Sequence, residues 1–207
     1  MRNKFKKTSF GFTKEKFPCG THMCLIYRDE AERRKIVSQY LDSGLDAGEK
    51  VAYFVDSMTP AELIKWLEEM DIEASKAKES KQLEVLQAEQ VYCPQKTFVP
   101  DIMLDTLRNY YKKGMADGYS GVRGSGEMSW ALKRIPGSER LAEYESLINE
   151  VVITHPITAL CQYDANKFDG ATIFDILQVH PYMITRGLIV KNPAYITPQE
   201  FLKTYAK

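Results

Sequence analysis

The chain has 207 residues, of which 44% are hydrophobic and 27% charged, values typical of a globular protein with one full core. Its 28 basic and 28 acidic residues cancel, which argues against direct nucleic-acid binding, because phosphate contacts require a basic surface. No apolar run approaches the roughly 20 residues of a membrane span, and no signal peptide is evident. We therefore expect a cytoplasmic protein without membrane contact.

The first 19 residues are predicted to be a basic arm that precedes the folded domain. Six basic side chains and a single acidic one fall in residues 1–18. A solvated tail held loosely on the surface is the simpler interpretation, and docking onto an acidic partner is the alternative. The domain itself is predicted to span residues 20–207, because no linker-like composition and no internal repeat interrupts that stretch.

From residue 20 onward, short apolar strands alternate with amphipathic helices. The predicted strands cover residues 22–27, 51–55, 83–88, 122–128, 157–163 and 183–190. Helices are predicted between them, and Thr59, Pro60 and Glu62 form a strong helix start. A charged stretch at residues 73–81 is predicted to be surface loop or helix end. This alternation predicts an α/β fold of three layers, in which a mostly parallel sheet is covered by helices on both faces.

Aromatic and acidic side chains occur where several of these strands end. They are Tyr27, Asp56, Glu127, Trp130, Tyr163 and Asp164. The carboxyl ends of parallel strands meet at one edge of a sheet, where α/β proteins bind ligands. We therefore predict that these residues, together with His22, contact a small ligand.

Each candidate contact has an expected role and a simpler alternative. Trp130 and Tyr163 would form apolar walls, whereas Glu127 and Asp164 would orient a polar group or a cation, or brace the pocket through an arginine. In the simpler interpretation, Trp130 packs on the end of the sheet, and Glu127 pairs with Arg123 or Arg134.

A phosphate-binding loop is absent from the position where this fold would carry one. Residues 27–35, which follow the first predicted strand, contain no glycine, although close approach to phosphates requires it. Asp29, Glu30 and Glu32 would also repel phosphate. We therefore expect no nucleotide and no other cofactor.

Metal and nucleophile patterns are weak. His22 and Cys24 share one face of a strand, and Cys161 and His180 are further donors, but their spacing matches no established zinc pattern. We favour buried structural thiols without a metal. No Gly-x-Ser-x-Gly elbow occurs, so a non-enzymatic role is expected. An enzyme that uses Glu127 or Asp164 as an acid or base is the alternative.

Several segments resemble the MEDS family, the methanogen/methylotroph sensory domain that is also called the DcmR-like sensory domain. The most specific are Gly-Glu-Met-Ser-Trp-Ala-Leu at residues 126–132 and Leu-Cys-Gln-Tyr-Asp at residues 160–164. Weaker matches are Gly-Thr-His-Met-Cys-Leu-Ile-Tyr at residues 20–27, Gly-Leu-x-x-Gly-Glu at residues 44–49, Tyr144-Glu145 with Asn149, and His180-Pro181.

This resemblance implies a sensory module for small hydrocarbon derivatives that regulates transcription or signalling, on a RecA/KaiC-like fold that lacks the phosphate loop. Only about 20 residues precede the matching region and about 15 follow it, too few for an output domain. We therefore expect a separate protein partner, such as a regulator or kinase, or a homo-oligomer. The alternative is a ligand-free interaction module derived from an ATPase, which an inward-packed Trp130 would favour.

Overall fold

The structure, a computed structural model, describes residues 6–205. Its centre is a seven-stranded sheet with the strand order β5-β4-β6-β7-β3-β8-β9, in which only the edge strand β9 runs antiparallel to its neighbour. A separate hairpin joins β1 (Lys7–Ser9) and β2 (Lys16–Pro18). The sheet strands are β3 (His22–Tyr27), β4 (Lys50–Val55), β5 (Leu83–Gln87), β6 (Val122–Glu127), β7 (Ile157–Asp164), β8 (Tyr182–Thr185) and β9 (Leu188–Lys191).

Helices cover both faces of this sheet. They are α1 (Glu30–Asp46), α2 (Pro60–Glu68), α3 (Ala74–Glu79), α4 (Ala88–Tyr92), α5 (Pro100–Ala116), α6 (Leu141–Thr154), α7 (Gly170–Val179) and α8 (Pro198–Tyr205), with 3-10 helices at Met128–Lys133 and Ser138–Arg140. Helices α1 to α3 pack on one face, and α4 to α8 pack on the other. The three-layer, mostly parallel α/β fold predicted from the sequence is therefore confirmed.

The strands are apolar on both faces because each face lies under helices. In β3, Met23 and Leu25 pack on the α1 face, whereas Cys24 packs on the α6 face. Tyr27 pairs with Asp164, and Glu127 pairs with Gln162, so the carboxyl ends of β3, β6 and β7 lie at one edge. Within the described residues, no helix has the length and hydrophobicity that a membrane span requires.

The prediction of a loosely held N-terminal arm is wrong for the part that the structure describes. The hairpin of β1 and β2 packs on the α1 face, and Phe10 is completely buried there. Arg123 donates hydrogen bonds to Thr8 Oγ1 and Ser9 O at 3.2 and 2.9 Å and also pairs with Glu49. The lysines in this segment led to the error, because they are exposed while the apolar residues between them are buried or partly buried. Residues 1–5 of the predicted arm lie outside the described residues.

The last predicted strand, 183–190, is also wrong as a single element. It divides into β8 and β9, which pair antiparallel across a turn. Arg186 and Gly187 have φ values of 50° and 70° at this turn, a left-handed conformation typical of a tight hairpin. The charged stretch at residues 73–81 contains the short helix α3, and the small helix α4 was not predicted.

Candidate functional site

An open cleft of about 480 Å³ lies at the carboxyl edge of the sheet. Its walls include Tyr27 and Asp164, which end adjacent strands, and Trp66 of α2. Charged side chains complete it, namely Glu30, Arg34, Glu62, Lys65, Glu69 and Lys167, together with Ser57 and Met58. Aromatic surface beside fixed charges suits a small organic molecule that has an apolar part and a polar group.

A buried arginine contacts two aromatic residues that line this cleft. Arg33 of α1 is 1% exposed and lies between the rings of Tyr27 and Trp66, each 5.4 Å from its guanidinium carbon. It donates two hydrogen bonds to Glu30, at 2.8 and 2.5 Å. Because Arg33 holds both aromatic rings and an acidic wall residue, it fixes the shape of the cleft.

Glu127 is the buried partner of Arg33, with 3.1 Å between Arg33 Nη1 and Glu127 Oε1. Its other oxygen accepts hydrogen bonds from the backbone amides of Asp56 and Ser57, at 2.8 and 2.6 Å. Both carboxylate oxygens are therefore engaged inside the protein. Glu127 thus pairs with Arg33, and not with Arg123 or Arg134 as the simpler interpretation supposed.

Asp56 lies next to this network without lining the cleft. Ser129 Oγ donates to its Oδ2 at 2.8 Å, and Lys133 Nζ lies 2.6 Å from its Oδ1. These bonds fasten the 3-10 helix at Met128–Lys133 to the end of β4.

Asp164 is held ionised beside the cleft. Burial raises the pKa of its carboxyl group, but hydrogen bonds from Asn166 and Lys167 outweigh this effect and leave the pKa below its usual value. An ionised carboxylate at neutral pH can orient a cation or a hydrogen-bond donor, but it cannot serve as a general acid.

The N-terminus of α1 carries acidic side chains and a capped first turn. Asp29 caps the helix by accepting a hydrogen bond from the amide of Ala31 at 2.7 Å. Glu30 and Glu32 occupy the first turn. A helix N-terminus attracts anions only while its amides are free and its neighbours are not acidic.

Of the seven predicted contacts, only Tyr27 and Asp164 line this cleft. Three of the other five, His22, Trp130 and Tyr163, lie on the opposite face of the sheet. Trp130 is completely buried and stacks on Tyr92, with ring centroids 4.8 Å apart. Successive strand residues face opposite sides, so residues at one edge are divided between two cores. The prediction of a shared wall of Trp130 and Tyr163 at the cleft is therefore wrong.

Beneath α6 and α7, His22 joins a buried cluster with Glu145, Cys161 and His180. Glu145 Oε2 lies 3.1 Å from His22 Nε2, 3.3 Å from His180 Nε2 and 3.3 Å from Cys161 Sγ. Its Oε1 accepts a hydrogen bond of 2.7 Å from Tyr163. Cys24 is not a member of this cluster, and its thiol lies 3.8 Å from Tyr182 O.

The cluster shifts the pKa values of Glu145, His22 and Cys161. Burial disfavours the Glu145 carboxylate, yet the close approach of His180 Nε2 and His22 Nε2 holds its pKa far below the usual range. Burial, with the charge of His180, lowers the pKa of His22. Burial and the Glu145 charge raise the pKa of the Cys161 thiol.

Sequence reasoning missed Arg33, Trp66 and the role of Glu145. Arg33 and Trp66 sit within amphipathic helices, where neither is distinguished from ordinary surface or core residues. A buried acid at Glu145 was detectable as a charge inside the apolar stripe of α6.

Comparisons with known proteins agree with this architecture. A model of the family described as "MEthanogen/methylotroph, DcmR Sensory domain" matches residues 21–181. The transcriptional repressor DcmR of Methylorubrum extorquens is 32% identical over 162 residues, which cover 77% of this chain and 57% of the repressor. The chain thus spans little more than half the length of this curated relative.

Solved structures show the same fold at low sequence identity. The flagellar accessory protein FlaH of Methanocaldococcus jannaschii superposes with a TM-score of 0.62 at 13% identity, covering 84% of this chain and 76% of FlaH. A KaiC-like protein of Pyrococcus horikoshii has a TM-score of 0.62 at 15% identity, covering 86% and 79%. The fold is RecA/KaiC-like, and the chain belongs to the MEDS family of DcmR-like sensory domains.

Proposed function

We propose that this domain is a sensor that binds a small organic, hydrocarbon-derived molecule in the cleft lined by Tyr27, Trp66 and Asp164. The observation that carries the proposal is an aromatic cleft with an ionised carboxylate at the sheet edge where α/β proteins bind ligands.

The output of this sensor is regulation of transcription or signalling from the cytoplasm, without catalysis. The relative DcmR is named a transcriptional repressor, which supports this assignment. The matched region covers 57% of DcmR. The zero net charge favours a protein partner, such as a regulator or kinase, or a second copy of the chain, over direct contact with DNA. Ligand binding would shift the population of two arrangements of the cleft loops, provided that it binds them with different affinity.

A ligand-free interaction module is the second candidate. The inward packing of Trp130 favours it, because an aromatic residue expected at the edge instead fills the core. The two candidates differ in one property: only a sensor gains stability from a small organic molecule.

A thermal-shift screen of the full chain tests the proposal. The panel contains small alcohols, amines, halogenated and methylated one-carbon compounds, and nucleotides. We expect at least one organic compound to raise the melting temperature in proportion to the logarithm of its concentration. Tyr27→Leu and Asp164→Asn should reduce that shift.

Asp175→Asn is the matched control, since Asp175 lines a different cleft beside Phe168 and Tyr205. It should respond to the same compound as the wild type does. Stabilisation by a nucleotide alone would contradict the sensor proposal in favour of an ATPase-like role. No response to any compound would favour the ligand-free module.

A further inference from the structure

The buried cluster of His22, Glu145, Cys161 and His180 brings four donor atoms of metal-binding type to one point. All four lie within 4.8 Å of one another. They come from β3, α6, β7 and the residue that caps the C-terminus of α7. The fold therefore brings together four residues that are far apart in the sequence. Burial of two imidazoles, a thiol and a carboxylate together needs an explanation beyond packing, because burying charge is costly unless it is compensated.

The tautomer of His22 is fixed by its second nitrogen. Asn149 Nδ2 donates to the carbonyl oxygens of Ser146 and Val179 at 3.0 and 2.8 Å, which leaves Asn149 Oδ1 to face His22 Nδ1 at 3.1 Å. His22 Nδ1 must therefore carry the proton that it donates to this oxygen. In the neutral ring, Nε2 then carries a lone pair and no proton. This nitrogen lies 3.1 Å from Glu145 Oε2.

His180 has the same arrangement. Its Nδ1 lies 2.7 Å from the carbonyl oxygen of Ile176, which can only accept, so Nδ1–H donates. Its Nε2 is completely buried 3.3 Å from Glu145 Oε2 and makes no hydrogen bond to any residue between 6 and 205. When both rings are neutral, each imidazole therefore directs a lone pair toward the same carboxylate oxygen. Acceptors facing acceptors repel unless a proton or a metal ion lies between them.

Four of the six distances between the donor atoms are close to those around a tetrahedral metal. Bonds of about 2.0–2.3 Å from zinc to nitrogen, oxygen and sulfur place neighbouring ligand atoms about 3.3–3.8 Å apart in a tetrahedron. The distances from Glu145 Oε2 to the other three donors are 3.1, 3.3 and 3.3 Å, and Cys161 Sγ lies 3.5 Å from His22 Nε2.

The supporting contacts are those of a metal site. Both histidines are oriented through Nδ1, by Asn149 and by the Ile176 carbonyl, and Tyr163 holds the second oxygen of Glu145. Outer hydrogen bonds of this kind orient metal ligands and fix the histidine tautomer.

We propose that His22, Glu145, Cys161 and His180 bind one divalent transition metal of the zinc class. Two imidazoles, one thiolate and one carboxylate form a closed tetrahedral set, which is typical of a structural site. On binding, the Cys161 S–H bond breaks, the proton leaves to solvent, and the sulfur electron pair bonds the metal. The metal would tie two strands of the sheet to α6 and α7, independently of the proposed ligand cleft.

Cobalt(II) substitution of the full chain tests this site. The protein is prepared metal-free, and Co²⁺ and Zn²⁺ are added separately in reducing, oxygen-free buffer. We expect one equivalent of Co²⁺ to bind, with the intense visible bands of tetrahedral cobalt and a near-ultraviolet band from thiolate-to-cobalt charge transfer. One equivalent of Zn²⁺ should abolish both signals and raise the melting temperature, because it binds the folded state.

Matched variants assign the ligands. Cys161→Ser should lose the charge-transfer band, whereas Cys24→Ser, on the register partner of Cys161, should keep it. His180→Ala should lose tetrahedral binding, whereas His155→Ala should retain it.

Cobalt binding by the wild-type protein tests the proposed site even if a variant of the cluster does not fold. Folded wild-type protein that binds less than a tenth of an equivalent of Co²⁺ would overturn the proposal. The weak pink spectrum of octahedral cobalt, or a charge-transfer band that survives in folded Cys161→Ser, would overturn it equally.

Discussion

The imidazole rings of His22 and His180 lie 4.3 Å apart, centroid to centroid, and both approach the same oxygen of Glu145. His22 begins β3, whereas His180 caps the C-terminus of α7, so this contact joins a central strand to α7 on the face of the sheet that α6 covers. The proposed ligand cleft lies on the other face of the sheet, around Tyr27 and Arg33. The structure thus separates a buried donor cluster from an open cleft.

Tyr163→Phe tests whether the outer contact on Glu145 supports metal binding. The change removes a hydrogen bond of 2.7 Å to Glu145 Oε1 and leaves all four proposed ligands in place. Loss of such a contact costs about 10–100-fold in metal affinity. We expect competition with a chromophoric chelator to show weaker Zn²⁺ binding at unchanged stoichiometry.

Tyr110→Phe is the control for this change, because the buried Tyr110 hydroxyl makes no hydrogen bond within the described part of the chain. Its zinc affinity should equal that of the wild type. Equal affinities for Tyr163→Phe and the wild type would argue against a role for Tyr163 in the site.

Arg33→Met should destabilise the fold strongly. The change leaves Glu127 as an unpaired carboxylate that is 2% exposed, and breaking a buried ion pair costs about 3–5 kcal/mol. Urea unfolding of the wild type and the variant measures the difference. The double variant Arg33→Met with Glu127→Gln should recover part of the lost stability, since neither position of this pair then holds a buried charge.

Arg34→Met is the matched control for Arg33→Met. Arg34 also pairs with Glu30, at 3.1 Å, but its side chain is 44% exposed. Exposed pairs contribute about 0–1 kcal/mol. A loss for Arg34→Met as large as that for Arg33→Met would show that burial of the pair is not the cause.

Phe10→Ala tests whether the N-terminal hairpin belongs to the fold. Phe10 stacks on Phe17 at 5.3 Å and meets Tyr40 edge-on, so we expect a loss of about 3–5 kcal/mol in unfolding free energy. Phe174→Ala, at a side chain that is 58% exposed, should change the stability by no more than about 0.5 kcal/mol. Similar small changes in the unfolding free energy of both variants would support the interpretation of a loosely held arm.

Trp130→Ala separates core packing from ligand recognition. The indole fills the space among Tyr92, Phe98 and other buried rings, so the change should cost about 3–5 kcal/mol. Its dissociation constant for a compound that stabilises the wild type should remain within about twofold, measured by calorimetry below the melting temperature. A tenfold loss would return Trp130 to the binding site.

Most of the fold was predictable because its signals are local. The strand His22–Tyr27 has the predicted bounds, and the capping box of Thr59 and Glu62 starts α2 as expected. Hydrophobic periodicity and capping depend on residues within a few positions of each other. The prediction of a single strand over residues 183–190 was wrong because the apolar pattern continues on both sides of Gly187, which forms the turn between β8 and β9.

The site was less predictable because its contacts join distant positions. Glu127 was correctly placed at a strand end, but its partner Arg33 lies 94 positions away on a helix. Trp130 and Glu127 are close in sequence yet belong to opposite faces of the sheet. The cluster of His22 with Glu145 depends on how α6 lies over β3, which no spacing in the sequence records.

The two tryptophans provide the most direct test of the central claim, that a small molecule binds at the cleft. Trp66 lines the cleft and Trp130 lies in the opposite core, so an NMR titration can follow their indole N–H signals separately, with assignment from Trp66→Phe. The titrant is the compound that most stabilises the wild type in the thermal screen. We expect the Trp66 signal to shift saturably while the Trp130 signal stays in place. A saturable shift of Trp130 without one of Trp66, or no saturable shift of either signal, would contradict it.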